Sequence, residues 1–187
     1  ARVAALDGGL AGWTQQSLPT TTNEFRAAPR VFVPTVTPNR LATKFTTRLA
    51  VDKPNATIID ARDPPDYRGE KSAAQRFGHI RSAVNIPIGD HFDRVDGVKR
   101  LKSTAQLAQE YRSIDPAKKI VTYCNTGVLS ATTYFVLRQL GYDVANYDGS
   151  WMEWGNDPAL PITETGPATP PAQPAPSSVV PGHAVRT

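Results

Sequence analysis

Lys119-Ile120-Val121-Thr122-Tyr123-Cys124-Asn125-Thr126-Gly127-Val128-Leu129-Ser130 is the stretch whose reading decides the fold. Residues 119–123 are β-branched and aromatic and read as a buried strand. Beyond the loop, Leu129, Thr133, Val136, Leu137 and Leu140 recur near helical spacing, and Gly141 suits a position just past a helix end. The only cysteine of the chain is therefore expected at the end of a strand, in a tight loop that opens a helix. The first amides of a helix have no intrahelical partner and carry its partial positive charge, so a thiolate there is stabilised. Gly127 lets the backbone curl without a Cβ clash. The amides of Asn125, Thr126, Gly127, Val128, Leu129 and Ser130 would then cradle a sulfur anion, or an oxyanion bound beside it. A lone cysteine is ordinarily a buried, inert residue; its place between strand, glycine turn and helix favours a reactive one.

Outward from this stretch, strands and helices alternate. Val31-Phe32-Val33 is a short strand candidate. Thr37-Pro38 reads as a helix start, with Leu41, Phe45 and Leu49 on its inner face to about Ala50. Thr57-Ile58-Ile59-Asp60-Ala61 reads as a buried strand ending in a carboxylate. Pro64 to Tyr67 reads as a turn, Ala83 to Pro87 as an extended run, and residues 89–100 as a charged, exposed loop. Ser103-x-x-Gln106 has the form of a capping box for a helix with Leu107, Ala108 and Tyr111 inward. Val144 to Tyr147 reads as a further strand, and Ser150 to Trp154 as one more helical turn. The alternation predicts an α/β fold: a parallel sheet with helices on both faces and the cysteine loop between a central strand and the following helix. Ligands of such sheets bind beyond the carboxyl ends of the strands, the rim to which Asp60, Cys124 and Asp148 belong.

The chain also resembles itself. With Val3 set against Val144, Ala4 meets Ala145, Asp7 meets Asp148, Gly8 meets Gly149 and Trp13 meets Trp154, an internal repeat. The expected organisation is a remnant of a preceding, similar domain over 1–18, a polar linker over 19–30, the main domain over 31–162, and a Pro-, Ala- and Thr-rich tail over 163–187 whose composition predicts disorder.

The chain has 187 residues, 40% hydrophobic and 20% charged, with a net charge of +4. A single cysteine excludes an internal disulfide, and no cysteine–histidine cluster has zinc spacing. No apolar run is long enough for a membrane span. Lys99-Arg100-Leu101-Lys102 lacks interleaved aromatics and reads as a solvated face, so a nucleic-acid partner is not expected. A soluble protein, cytoplasmic or periplasmic, is expected.

Ile59-Asp60-Ala61-Arg62, Gly78-His79-Ile80, Val84-Asn85-Ile86-Pro87, Tyr123-Cys124-Asn125-Thr126-Gly127, Gly141-Tyr142 and Asp148-Gly149-Ser150 occur in the order seen in rhodanese domains. The resemblance covers about residues 31–162. With 1–18 resembling the end of a preceding rhodanese domain, the whole resembles the catalytic C-terminal half of a tandem-domain thiosulfate/3-mercaptopyruvate sulfurtransferase. The resemblance implies that Cys124 takes the outer sulfur of a small anionic donor such as thiosulfate, becomes a persulfide, and passes the sulfur to cyanide or a thiol. It implies no metal and no cofactor, an upstream rhodanese-like domain as a partner, and supporting roles for Asp60, Arg62 and His79. Mercaptopyruvate as donor, or a persulfide carrier without turnover of its own, are the alternatives.

Three departures from the family pattern bear on substrate. Asp66 stands where tandem sulfurtransferases commonly carry a donor-binding arginine, a loss that Arg68, Arg76 or Arg81 would have to make good. The loop after Cys124 lacks the basic residues of thiosulfate-preferring enzymes, and Thr126 is closer to the serine of mercaptopyruvate-type loops. Leu129 stands where arginine or threonine is usual. An arsenate reductase or phosphatase would need a longer loop ending in arginine, where this chain has Leu129 and Ser130.

Overall fold

The computed structural model describes residues 4–29, 31, 33–35 and 37–164. At its centre is a five-stranded parallel sheet, built from β1 (Leu41–Ala42), β2 (Ala56–Asp60), β4 (Ala83–Asn85), β7 (Lys119–Tyr123) and β8 (Val144–Tyr147) in the order β1-β8-β7-β2-β4. A short β3 (His79–Ile80) pairs antiparallel with β9 (Ile162–Thr163), and β5 (Phe92–Val95) with β6 (Val98–Leu101). The helices are α1 (Gly9–Gln15), α2 (Lys44–Ala50), α3 (Pro64–Tyr67), α4 (Thr104–Glu110), α5 (Val128–Gln139) and α6 (Ser150–Trp154).

Alternation along the strands divides the core in two. Ile58, Val121, Tyr123 and Ala145 pack with Val51, Trp151 and Trp154 on one face. Ile59, Ile120 and Val144 pack with Leu107, Tyr111, Val136 and Leu137 of the α4 and α5 side on the other. Side chains of successive strand residues point to opposite faces, so a sheet covered on both sides reads as a continuous apolar run. The parallel register, Asp60 beside Tyr123 and Thr122 beside Asn146, brings the carboxyl ends of β2, β7 and β8 to one rim.

Most predicted elements are present. Ser103 and Gln106 form both halves of the capping box, although Ala108 is exposed. Three expectations fail. The helix does not run from Pro38: Pro38–Arg40 is a single 3₁₀ turn, Leu41 and Ala42 pair with Asn146 and Tyr147 as an edge strand, and Thr43 caps α2 through a reciprocal bond with Thr46. Leu41, Phe45 and Leu49 are accordingly exposed, and Thr47 is the buried residue of α2. Residues 89–100 are not a loop but include the β5–β6 hairpin, whose turn is Asp96-Gly97, both at positive φ. Asp-Gly is the strongest short hairpin signal, and the charged composition masked it. Val31 and Val33 are exposed outside any strand, while Phe32 lies outside the described residues, as do the first three residues and 165–187 of the tail.

The basic run is engaged rather than bare: Arg100 pairs with Asp7 and Lys102 with Glu110. Asp7 also accepts Leu101 N–H at 2.9 Å, which seats the N-terminal segment on the hairpin. The two mutually similar segments share local form. Helix α1 opens at Gly9 with φ +53° and α6 opens at the matching Ser150 with φ +51°. Trp13 donates to Pro19 O at 2.9 Å and the matching Trp154 to Pro161 O at 3.1 Å.

Candidate active site

Cys124 follows β7 directly and is 1% exposed. Its backbone is held from the β8–α6 side: Cys124 N–H donates to Ser150 Oγ at 3.2 Å, and Trp151 N–H donates to Cys124 O at 3.0 Å. Met152 N–H donates to Asn125 O at 3.0 Å. Gly127 turns the chain into α5 with φ +79°, and a Cβ there would stand 2.6 Å from the backbone oxygen of Asp148, so glycine is required on both counts. Gly127 O accepts from Ala131 N–H at 3.1 Å and from Asn146 Nδ2 at 3.2 Å. Ser130 Oγ lies 2.7 Å from Asn146 Oδ1 and 3.1 Å from Gly127 O.

The amides of residues 125–130 donate to no protein acceptor among the described residues. They are the orphan donors of the α5 N-terminus and its approach loop. The six residues do not share one environment. Gly127 and Ser130 are buried and fix the loop, whereas Thr126, Val128 and Leu129 are exposed and form its outer edge. Asn125 is half-buried, and its Oδ1 is buried without a partner. The cavities of about 540 Å³ beside Phe92 and Phe135 and about 400 Å³ between β1 and α2 are lined by none of these residues.

Asp60 and Arg62 form a pair whose side chains are 0% and 1% exposed. Arg62 Nε lies 3.0 and 3.1 Å from the two carboxylate oxygens, and Nη2 lies 2.6 Å from Oδ2 and 2.8 Å from Gly78 O. The guanidinium sits 4.5 Å from the Trp151 ring centre and 5.5 Å from that of Tyr123, in range for cation–π attraction. Tyr123 donates its hydroxyl to Asp60 Oδ2 at 2.5 Å and accepts Ile80 N–H at 3.1 Å. Burial first, and then the charge of Asp60, push the Tyr123 hydroxyl well above its ordinary value, so it stays protonated and keeps donating. The pair thus supports the strand that ends at Cys124 and the aromatic ring beneath α6. Arg62 Nη1 is buried without a partner.

His79 stacks on Tyr67 at 3.8 Å between ring centres, with Nδ1 2.8 Å from Tyr67 O. Burial lowers its pKa, against the pull of that carbonyl and of Asp60, which leaves a neutral ring donating from Nδ1. Asp66 is 7% exposed, with Lys71 Nζ 3.1 Å from its carboxylate. None of the three arginines proposed to replace the missing anion binder is free. Arg68 pairs with Glu70 at 2.6 Å and Arg81 with Asp52 at 2.5 Å. Arg76 is spent on the carbonyls of Trp154, Gly155, Asp157 and Leu160, closing the end of α6. Trp151 and Trp154 are fully buried packing residues.

Sequence reasoning quoted Ser150 in a motif without giving it a role, and missed Asn146 and the Tyr123 hydroxyl. Asn146 carried a signal, as a polar residue inside a short apolar strand, because a buried amide needs partners.

Residues 43–157 match the family model described as a rhodanese-like domain, and the chain belongs to that family. A thiosulfate sulfurtransferase of Azotobacter vinelandii is 42% identical over 106 residues, covering 56% of this chain and 39% of its own length. The sulfur carrier protein TtuD of Thermus thermophilus is 31% identical over 185 residues, covering 87% of this chain and 61% of its own. The chain therefore spans between two fifths and three fifths of these relatives. Among solved structures, an anaerobic ergothioneine biosynthesis enzyme from Chlorobium limicola superposes with a TM-score of 0.70 at 24% identity, over 87% of this chain and 41% of that one; this likeness speaks for the fold alone. Among the described residues no helix is long and apolar enough to cross a membrane, and no His, Cys, Asp and Glu groups gather as a metal site.

Proposed function

We propose that the chain is a sulfurtransferase domain that moves a sulfane sulfur from thiosulfate to cyanide or a thiol through a Cys124 persulfide. The observation that carries this reading is the placement of Cys124 at the carboxyl end of a central strand, followed directly by a run of amides without protein acceptors among the described residues. The Cys124 thiolate attacks the outer sulfur of thiosulfate; the sulfur–sulfur bond breaks and sulfite leaves with the electron pair. Cyanide or a thiolate then attacks the terminal sulfur of the persulfide, forming thiocyanate or a new persulfide and regenerating the thiolate. Two displacements through one covalent intermediate give ping-pong kinetics. Oriented amides stabilise the persulfide anion without reorganising. Asp60, Arg62 and His79 act by holding the rim. An upstream rhodanese-like domain, whose end residues 1–18 resemble, would complete the site.

A persulfide carrier is the second reading. It is favoured by the engagement of Arg68, Arg76 and Arg81 elsewhere and by the likeness to TtuD. The Asp66 carboxylate, in place of a donor-binding arginine, weighs against mercaptopyruvate and bears on thiosulfate as well, since both are anions. Steady-state thiocyanate formation from thiosulfate and from mercaptopyruvate separates these readings. Thiosulfate-dependent turnover supports the proposal, adduct formation without turnover supports the carrier, and a preference for mercaptopyruvate overturns the choice of donor.

A further inference from the structure

The turn between β8 and α6 touches the cysteine loop at successive residues. It meets Cys124 N–H through Ser150 Oγ, Cys124 O through Trp151 N–H and Asn125 O through Met152 N–H, and Asp148 occupies the space a Cβ on Gly127 would need. One residue of this turn is in an unfavourable conformation. Ser150 is wholly buried at φ +51°, a region that residues with a Cβ enter at a conformational cost.

The internal repeat separates the conformation from the side chain. The residue matching Ser150 in the N-terminal segment is Gly9, which opens its helix at φ +53°. The turn by itself is served by glycine, which adopts that φ freely. Serine adds a Cβ, which carries the conformational cost, and a hydroxyl, which makes two bonds: it donates to Tyr147 O at 2.7 Å and accepts Cys124 N–H at 3.2 Å. Among the described residues, Ser150 is the one residue at such a φ that also bonds the backbone of Cys124, which points to a reason at the cysteine for keeping it.

We infer that Ser150 is the positioning residue for Cys124. Its Oγ takes up the cysteine's own N–H and fixes the backbone at the strand end, so that the amides beginning at residue 125 converge on the sulfur anion. The inference rests on the proposed sulfur transfer for its importance, but not for its measurement.

The test uses Ser150→Gly, which keeps the left-handed backbone accessible and removes the hydroxyl together with its Cβ, and beside it Ser150→Ala, which removes the hydroxyl alone. Cys124 alkylation by iodoacetamide is followed from about pH 5 to about pH 9, the range in which thiols ionise, alongside thiosulfate:cyanide turnover and circular dichroism. For Ser150→Gly the pH midpoint of alkylation should move upward while the fold is retained. Its kcat should fall about threefold to tenfold, the equivalent of one hydrogen bond, with the KM for thiosulfate little changed. Ser150→Ala should show the same upward midpoint. A wild-type pH profile in Ser150→Gly overturns the inference, as does a loss of kcat that only tracks unfolding. Alkylation needs no sulfur donor, so absence of turnover in the wild-type chain would refute the proposed function while the pH midpoints still decide the role of Ser150.

Discussion

Replacing Arg62 by methionine strands the Asp60 carboxylate in the core, and the structure sets the size of the effect. The variant loses every contact from the guanidinium to Asp60, the bond to Gly78 O, and the stacking over Trp151. Asp60 keeps two donors, the Tyr123 hydroxyl at 2.5 Å and the backbone N–H of residue 62 at 2.9 Å. Removing one member of a buried ion pair costs about 3–5 kcal/mol, and the two remaining donors place this case near the lower end, about 3 kcal/mol. For a chain of this size that lowers Tm by about 6–12 °C. Asp60→Asn together with Arg62→Met removes both charges and leaves an amide that still accepts from Tyr123. It should recover part of the loss, with a coupling of at least about 1 kcal/mol in the double-mutant cycle. Thermal and urea unfolding of the wild type, both single variants and the double variant measure this. If the single losses simply add, the pair is not coupled and its role in supporting the end of β7 is refuted.

Gly127→Ala forces a Cβ against Asp148 at a left-handed position. It should cost at least about 2 kcal/mol and reduce thiocyanate turnover by at least about tenfold, read by unfolding and by initial rates. His79, and His91, which is buried in the turn before β5 and stacked with Tyr111, are both shifted downward, by burial first, so the folded chain resists protons that the unfolded chain accepts. Stability is therefore fully present above about pH 6.5 and falls as the pH drops below it toward the depressed folded values; Tm measured from about pH 7.5 to about pH 5.5 should decline, and His91→Gln should flatten that slope. Ser103→Ala removes one half of the α4 capping box and should cost about 1 kcal/mol without changing turnover, since α4 packs on the sheet face beneath Leu107 and Tyr111.

The strand–loop–helix around Cys124 was legible because each local signal agrees with the fold: a β-branched run, a glycine at positive φ, then helical spacing. The sheet followed from the alternation of elements. Part of what was not legible depended on pairing at a distance. Leu41, Phe45 and Leu49 have helical spacing, but Leu41 belongs to an edge strand whose partner lies about a hundred residues away in β8. Asp96-Gly97 announced a hairpin that the surrounding charges obscured. At the site, Cys124, Asp60 and Arg62 could be named from order and motif. The clamp from Ser150 and Asn146 could not, because it exists only once β8 lies beside β7.

The central claim is that Cys124 receives sulfur. Intact-protein mass spectrometry after exposure to thiosulfate alone, with Cys124→Ser as control, tests it most directly. The account predicts the addition of one sulfur atom, mapped to Cys124, removed by cyanide and absent from the serine variant. An unchanged wild-type mass, or an adduct that persists in Cys124→Ser, would contradict it.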